Sequence, residues 1–197
     1  KPLVVQMFTL LFLAQAAIGI EIRGRVIDAG SRKPLPARVN IHHLDSDQGF
    51  HARSADPAGS AVPYGVKRFE RSIETHTTLS AHPFVADVPE GEIKIIAEHG
   101  PELLEDMEMI GSKDGPDGGL VLPVRRWINL AQAGWFSGDT HVPREIKDLP
   151  NILLAEDLNV ALPLSYWVTK GNTPPAAGKK PGPQPKAELI KVDEPEP

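Results

Sequence analysis

The chain has 197 residues, 41% of them hydrophobic and 24% charged, which suffices for one or two modest cores and excludes a wholly disordered polymer. Asp and Glu (26) outnumber Lys and Arg (21), giving a net charge of -5, and no basic block occurs, so nucleic acid is excluded as a partner. Cysteine is absent, which removes disulfides and thiolate chemistry and leaves any metal to His, Asp or Glu.

The run from Leu3 to Ile20 is apolar except at Gln6, Thr9 and Gln15 and is preceded by one cation, Lys1. It predicts a signal peptide over residues 1–19, with Ala14-Gln15-Ala16 as the small-x-small cleavage pattern. An uncleaved anchor is the alternative, because the run approaches the roughly 18 apolar residues that span a bilayer. Export to the periplasm, the cell envelope or the medium follows, with membrane contact only through this segment. The first Met, Met7, lies inside the run, and residues 186–197 bring no closing element, so the sequence reads as a fragment.

Residues 20–110 carry strand periodicity. Ile20, Ile22 and Val26 fall on one face, and after the turn cluster Asp28-Ala29-Gly30-Ser31 a second alternating stretch runs from Ala37 to Ile41. These two are expected to pair as a hairpin. Phe84–Val88 and Glu92–Ala97 flank Pro89-Glu90-Gly91 and suggest another strand pair. With no helical pattern between them, short strands predict a small antiparallel β-sandwich. The segment holds six of the seven histidines, His42, His43, His51, His76, His82 and His99. The adjacent pair His42-His43 points to opposite strand faces and cannot share one ion.

Gly24-Arg25-Val26-Ile27-Asp28, Lys33-Pro34-Leu35-Pro36-Ala37-Arg38-Val39, and Phe84 to Gly91 with Ile93 to Gly100 together resemble carboxypeptidase regulatory-like, transthyretin-type domains. The resemblance implies a sandwich with an accessory role and no catalytic residue of its own. A carbohydrate-binding role for the sandwich finds little support, since Trp127, Trp135 and Trp167 all lie outside it; packing within or between domains, or the mouth of a pocket, suits them better.

Residues 111–119 include a Gly/Asp-rich run without the alternating carboxylates of a calcium loop, and are expected to be a linker marking a domain boundary. Beyond it, Leu120–Val124 reads as a strand continued through Trp127–Leu130. Asp139 and His141, two apart at a strand end, project to one side and are able to converge on an ion or a substrate atom; the spacing alone equally suits a buried Asp–His hydrogen bond or a capping Asp. Asp148–Asn159 reads as a short helix, with Asp148 as N-cap, Pro150 in the first turn and Asn159 as the left-handed stop. Val160–Leu164 follows as a buried strand. Glu156 is expected to be a solvated helix residue, with a contribution to a metal site as the alternative. Residues 176–197 form a Pro-rich tail.

Gly134-Trp135-Phe136-Ser137-Gly138-Asp139-Thr140-His141 is similar to the opening of PHP-type metallohydrolases, named for polymerase and histidinol phosphatase members. That similarity, over residues 120–175, implies the first elements of a β/α barrel and hydrolysis at a divalent metal cluster of zinc, manganese or iron. His141 matches the first ligand of the family's His-x-His pair and Asp139 the Asp before it. Pro143 stands where the second His belongs, and Leu164-Ser165-Tyr166 replaces a further Thr-Asp-His. The fold expected is therefore mainly β: a small antiparallel sandwich followed by the first β/α elements of an incomplete barrel. The function expected is the N-terminal part of an exported metal-dependent hydrolase, inactive as this piece, acting on an unidentified small-molecule or envelope-associated substrate. The alternative is a non-catalytic envelope binding protein with a degenerate metal site.

Overall fold

Alternation of apolar and polar residues builds most of this chain into strands. The computed structural model describes residues 19–69, 72–111 and 119–163; the expected signal peptide, most of the linker, Trp167, Leu164-Ser165-Tyr166 and the Pro-rich tail lie outside them. One sheet contains β1 (Gly19–Asp28), β4 (Arg53–Ser54), β7 (Phe84–Pro89), β9 (Leu103–Leu104) and β11 (Leu120–Arg126), in the order β4-β7-β1-β11-β9. The other contains β2 (Ala37–His43), β3 (Gln48–Phe50), β5 (Ala61–Phe69), β6 (Ser72–Leu79), β8 (Ile93–Glu98) and β10 (Asp106–Ile110), in the order β10-β8-β2-β6-β5 with β3 on the side of β2. A separate pair, β12 (Gly138–Val142) and β13 (Val160–Pro163), runs parallel and is connected through helix α1 (Leu149–Ala155). The protein is mainly β, and among the described residues no helix is long and apolar enough to cross a membrane.

The two sheets enclose one core. Ile22, Val26, Phe84, Ala86, Val88, Leu122 and Val124 from the first meet Val39, Ile41, Leu79, Ile93, Ile95 and Ala97 from the second. Along β1 the inward positions are Ile22, Gly24 and Val26, and Gly24 stands opposite Phe84 in the register. A Cβ on Gly24 would lie 2.5 Å from Phe84 Cζ, so the glycine makes room for the fully buried ring.

Two expected hairpins are crossovers instead. β1 and β2 lie in different sheets, and between them the connecting segment makes an isolated bridge of Pro34 to Ile27, with Leu35 N–H donating to the Val26 carbonyl. Pro34 and Pro36 have no N–H to extend a ladder, so the chain leaves β1 and enters the facing sheet. β7 and β8 separate in the same way after Pro89, β7 pairing with β1 and β8 with β2. The domain boundary expected at 111–119 is also displaced. β11, assigned from the sequence to the second domain, pairs parallel with β1 from Gly24↔Leu120 to Asp28↔Val124 and puts Leu122 and Val124 into the sandwich core. Among the described residues it is the one parallel pair in an otherwise antiparallel sandwich. The strand does not continue through Trp127–Leu130, which leads instead into a 3-10 turn at Ala131–Ala133.

Gly24→Ala is expected to overpack this contact and lower stability by about 1–3 kcal/mol in urea denaturation. Shortening the ring in Gly24→Ala/Phe84→Leu should return part of that loss. Strict additivity of the two substitutions would mean that the close approach carries no energetic weight.

Candidate functional site

The strand that bears Asp139 and His141 is reached through a left-handed Gly134 (φ +80°), followed by Trp135 and Phe136, 71% and 70% exposed. Ser137 then fixes the entry to β12: its N–H donates to Asn159 Oδ1 (3.1 Å) and its hydroxyl to the Asp157 carbonyl (2.6 Å). β12 and β13 align Gly138 with Val160 and Asp139 with Ala161, with a register shift before Val142. The strand expected to be buried at Val160 is thus an exposed one, Val160 and Leu162 facing solvent.

Asp139 and His141 are both exposed on β12. The Asp139 carboxylate turns back on its own strand and accepts the His141 backbone N–H at 2.8 Å. Among the described residues no three His, Asp or Glu side chains gather into a group able to hold a metal ion. A catalytic zinc site takes three protein ligands, so this pair, with Pro143 after it, does not by itself fit a divalent metal centre.

The strongest polar constellation lies elsewhere, at the end of α1. Asp157 takes the left-handed conformation (φ +53°), and Leu158 N–H donates to the Leu153 carbonyl at 2.9 Å, closing the helix in a Schellman arrangement. The left-handed stop is therefore Asp157, while Asn159 acts through its side chain on Ser137. Glu156 is partly buried and ion-paired, not a freely solvated residue: Arg38 donates from Nε (3.0 Å) and Nη2 (2.6 Å) to its two carboxylate oxygens. Next to it, Arg126 donates to Asp157 Oδ2 (3.0 Å) and to Glu102 Oε2 (2.9 Å). Gly100 (φ +57°) admits this helix end, because a Cβ there would stand 2.5 Å from the Asp157 Cβ and 2.7 Å from the Glu156 carbonyl oxygen. Arg126, Glu102, Asn129, Trp135, Ser137 and Asn159 border a shallow cleft of about 120 Å³ beside the clamp. Trp127 and Trp135 are thus surface residues, not core.

The histidines are dispersed into local structural contacts. His43 Nε2 lies 3.0 Å from the Glu90 carbonyl, His51 Nε2 2.9 Å from that of Tyr64, and His99 Nδ1 2.6 Å from that of Pro36. His76 is buried on β6, and burial, with Arg38 and then Arg144 nearby, lowers its pKa to about 4 against the partial counter-effect of Glu74.

No family model matches the chain, and neither curated proteins nor solved structures provide a match. Sequence reasoning missed Arg38, Arg126 and Asp157. Arg38 showed only as an outward position on an alternating strand, and its partner lies 118 residues away.

The Arg38 and Glu156 side chains are each less than one-third exposed. Removing either by alanine substitution is expected to cost about 1–3 kcal/mol. A double-mutant cycle followed by urea denaturation should return a coupling of about 1 kcal/mol or more; additive losses would show the contact to be energetically inert.

Proposed function

We propose that this chain is the front part of an exported hydrolase, in which an accessory β-sandwich rigidly carries the first β/α unit of a catalytic β/α domain. The observation that carries the reading is the parallel β12–β13 pair joined through α1, with Asp139 and His141 exposed on β12. Parallel strands connected by a helix are the building unit of β/α barrels and are ordinarily covered on both faces. Here Val160 and Leu162 remain more than half exposed, as in a unit awaiting further strands and helices. Divalent-metal chemistry in such a protein requires ligands additional to Asp139 and His141, and no reaction step is assigned to these two.

A second reading is favoured by Pro143 and by the internal hydrogen bond of Asp139 to the His141 amide: a binding protein of the cell envelope whose barrel has lost its metal. Elemental analysis separates the two, carried out on the polypeptide extended through its natural C-terminal sequence. Stoichiometric zinc, manganese or iron that His141→Ala removes is the result expected for the hydrolase. Metal bound only after Pro143→His would overturn it in favour of the binding protein.

A further inference from the structure

His76 stands where the β5–β6 hairpin meets the segment between β12 and β13. Its ring stacks on Tyr64, centroids 4.8 Å apart and planes inclined by 26°, and the Arg144 guanidinium lies 4.0 Å from the centroid of the same tyrosine. Two residues along β6, the Thr78 carbonyl accepts Asn151 Nδ2 of α1 at 2.9 Å. An aromatic-cation stack and an amide bond thus contribute to holding the β12–α1–β13 unit against this hairpin, separately from the arginine clamp at the helix end.

The imidazole at the centre of this contact is poorly placed to carry charge. It is 6% exposed, and its Nδ1 has no hydrogen-bond partner; the Glu74 carboxylate stands 3.7 Å away, outside hydrogen-bonding distance. The charged groups that face it are Arg38 from β2, Arg144 from the segment after β12, Glu74 from its own strand and Glu156 from the end of α1. Among these described groups two cations stand with two carboxylates, and a proton on His76 adds a further positive charge in a site largely shut off from water.

We propose that His76 is an acid-sensitive clasp: neutral, it lets Arg144 and α1 lie on the β5–β6 hairpin, and protonated, it releases them and loosens the β12–α1–β13 unit from the sandwich. The released form takes up the proton near the ordinary imidazole pKa of about 6.5, whereas the docked form resists it down to about 4. Docking is therefore at full strength above about pH 6.5 and is lost as pH falls through the interval to about 4, the opening constant rising toward tenfold per pH unit.

Hydrogen exchange of the full chain, corrected for the intrinsic pH dependence of exchange, tests this directly. Between pH 6.5 and 5, amides of residues 144–155 are expected to lose protection by about tenfold or more relative to those of β8. His76→Phe, which retains a stacking ring without a titratable nitrogen, should hold its protection across the same range. Equal losses in the native chain and in His76→Phe would overturn the proposal, as would a uniform loss over both sheets. Should His76→Phe fail to fold, NMR titration of the native His76 ring decides: a midpoint below pH 5 that accompanies the loss of α1 protection supports the clasp, and a midpoint near 6.5 with α1 undisturbed overturns it.

Discussion

Two arginines from opposite sheets close on adjacent residues of one helix end, and the placement of the helix end between β12 and β13 depends on that clamp. Arg38 projects from β2 in the six-stranded sheet and Arg126 from the end of β11 in the five-stranded one; they reach Glu156 and Asp157. A carboxylate gripped by two guanidinium nitrogens is fixed in orientation as well as in position. Because the grips come from both layers, the helix end cannot tilt with one sheet without straining its contact to the other.

The backbone is shaped to accept this arrangement. Asp157 offers its carboxylate from a left-handed helix stop, and Gly100 leaves out the side chain that would collide with it. Asn159 and Ser137 pass the constraint on to β12, so the strand with Asp139 and His141 is joined to the sandwich through a chain of hydrogen bonds. A sandwich attached in this way orients the β12–α1–β13 unit, which distinguishes it from one on a flexible tether. The presence of β11 in the sandwich sheet adds to this: the chain enters the β/α segment directly from a core strand.

The strands themselves were largely legible. Period-two alternation marked β1, β2, β8 and β11, since each buries one face and leaves Glu, Arg or Lys on the other, while β7 is buried from Phe84 to Val88 except at Asp87. Their partners were not legible. Alternation states which face of a strand is buried and says nothing of the neighbour to which its backbone bonds, so β1–β2 and β7–β8 looked like hairpins although each pair divides between the sheets. The candidate site shows the same division. Asp139 and His141 were visible because they are adjacent in sequence and share a strand, whereas Arg38–Glu156 and His76–Tyr64–Arg144 are assembled from segments far apart along the chain.

The sequence by itself determined the mainly β class, the inward faces of the strands and the short helix before β13, because each follows from local periodicity or from side chains within a few residues of one another. Only the tertiary structure decided the sheet order, the membership of β11, the clamp on Glu156 and Asp157 and the burial of His76. Those depend on distant segments being brought together by a common core, and the free energy of that core is spread over both sheets and written in no single stretch of the chain.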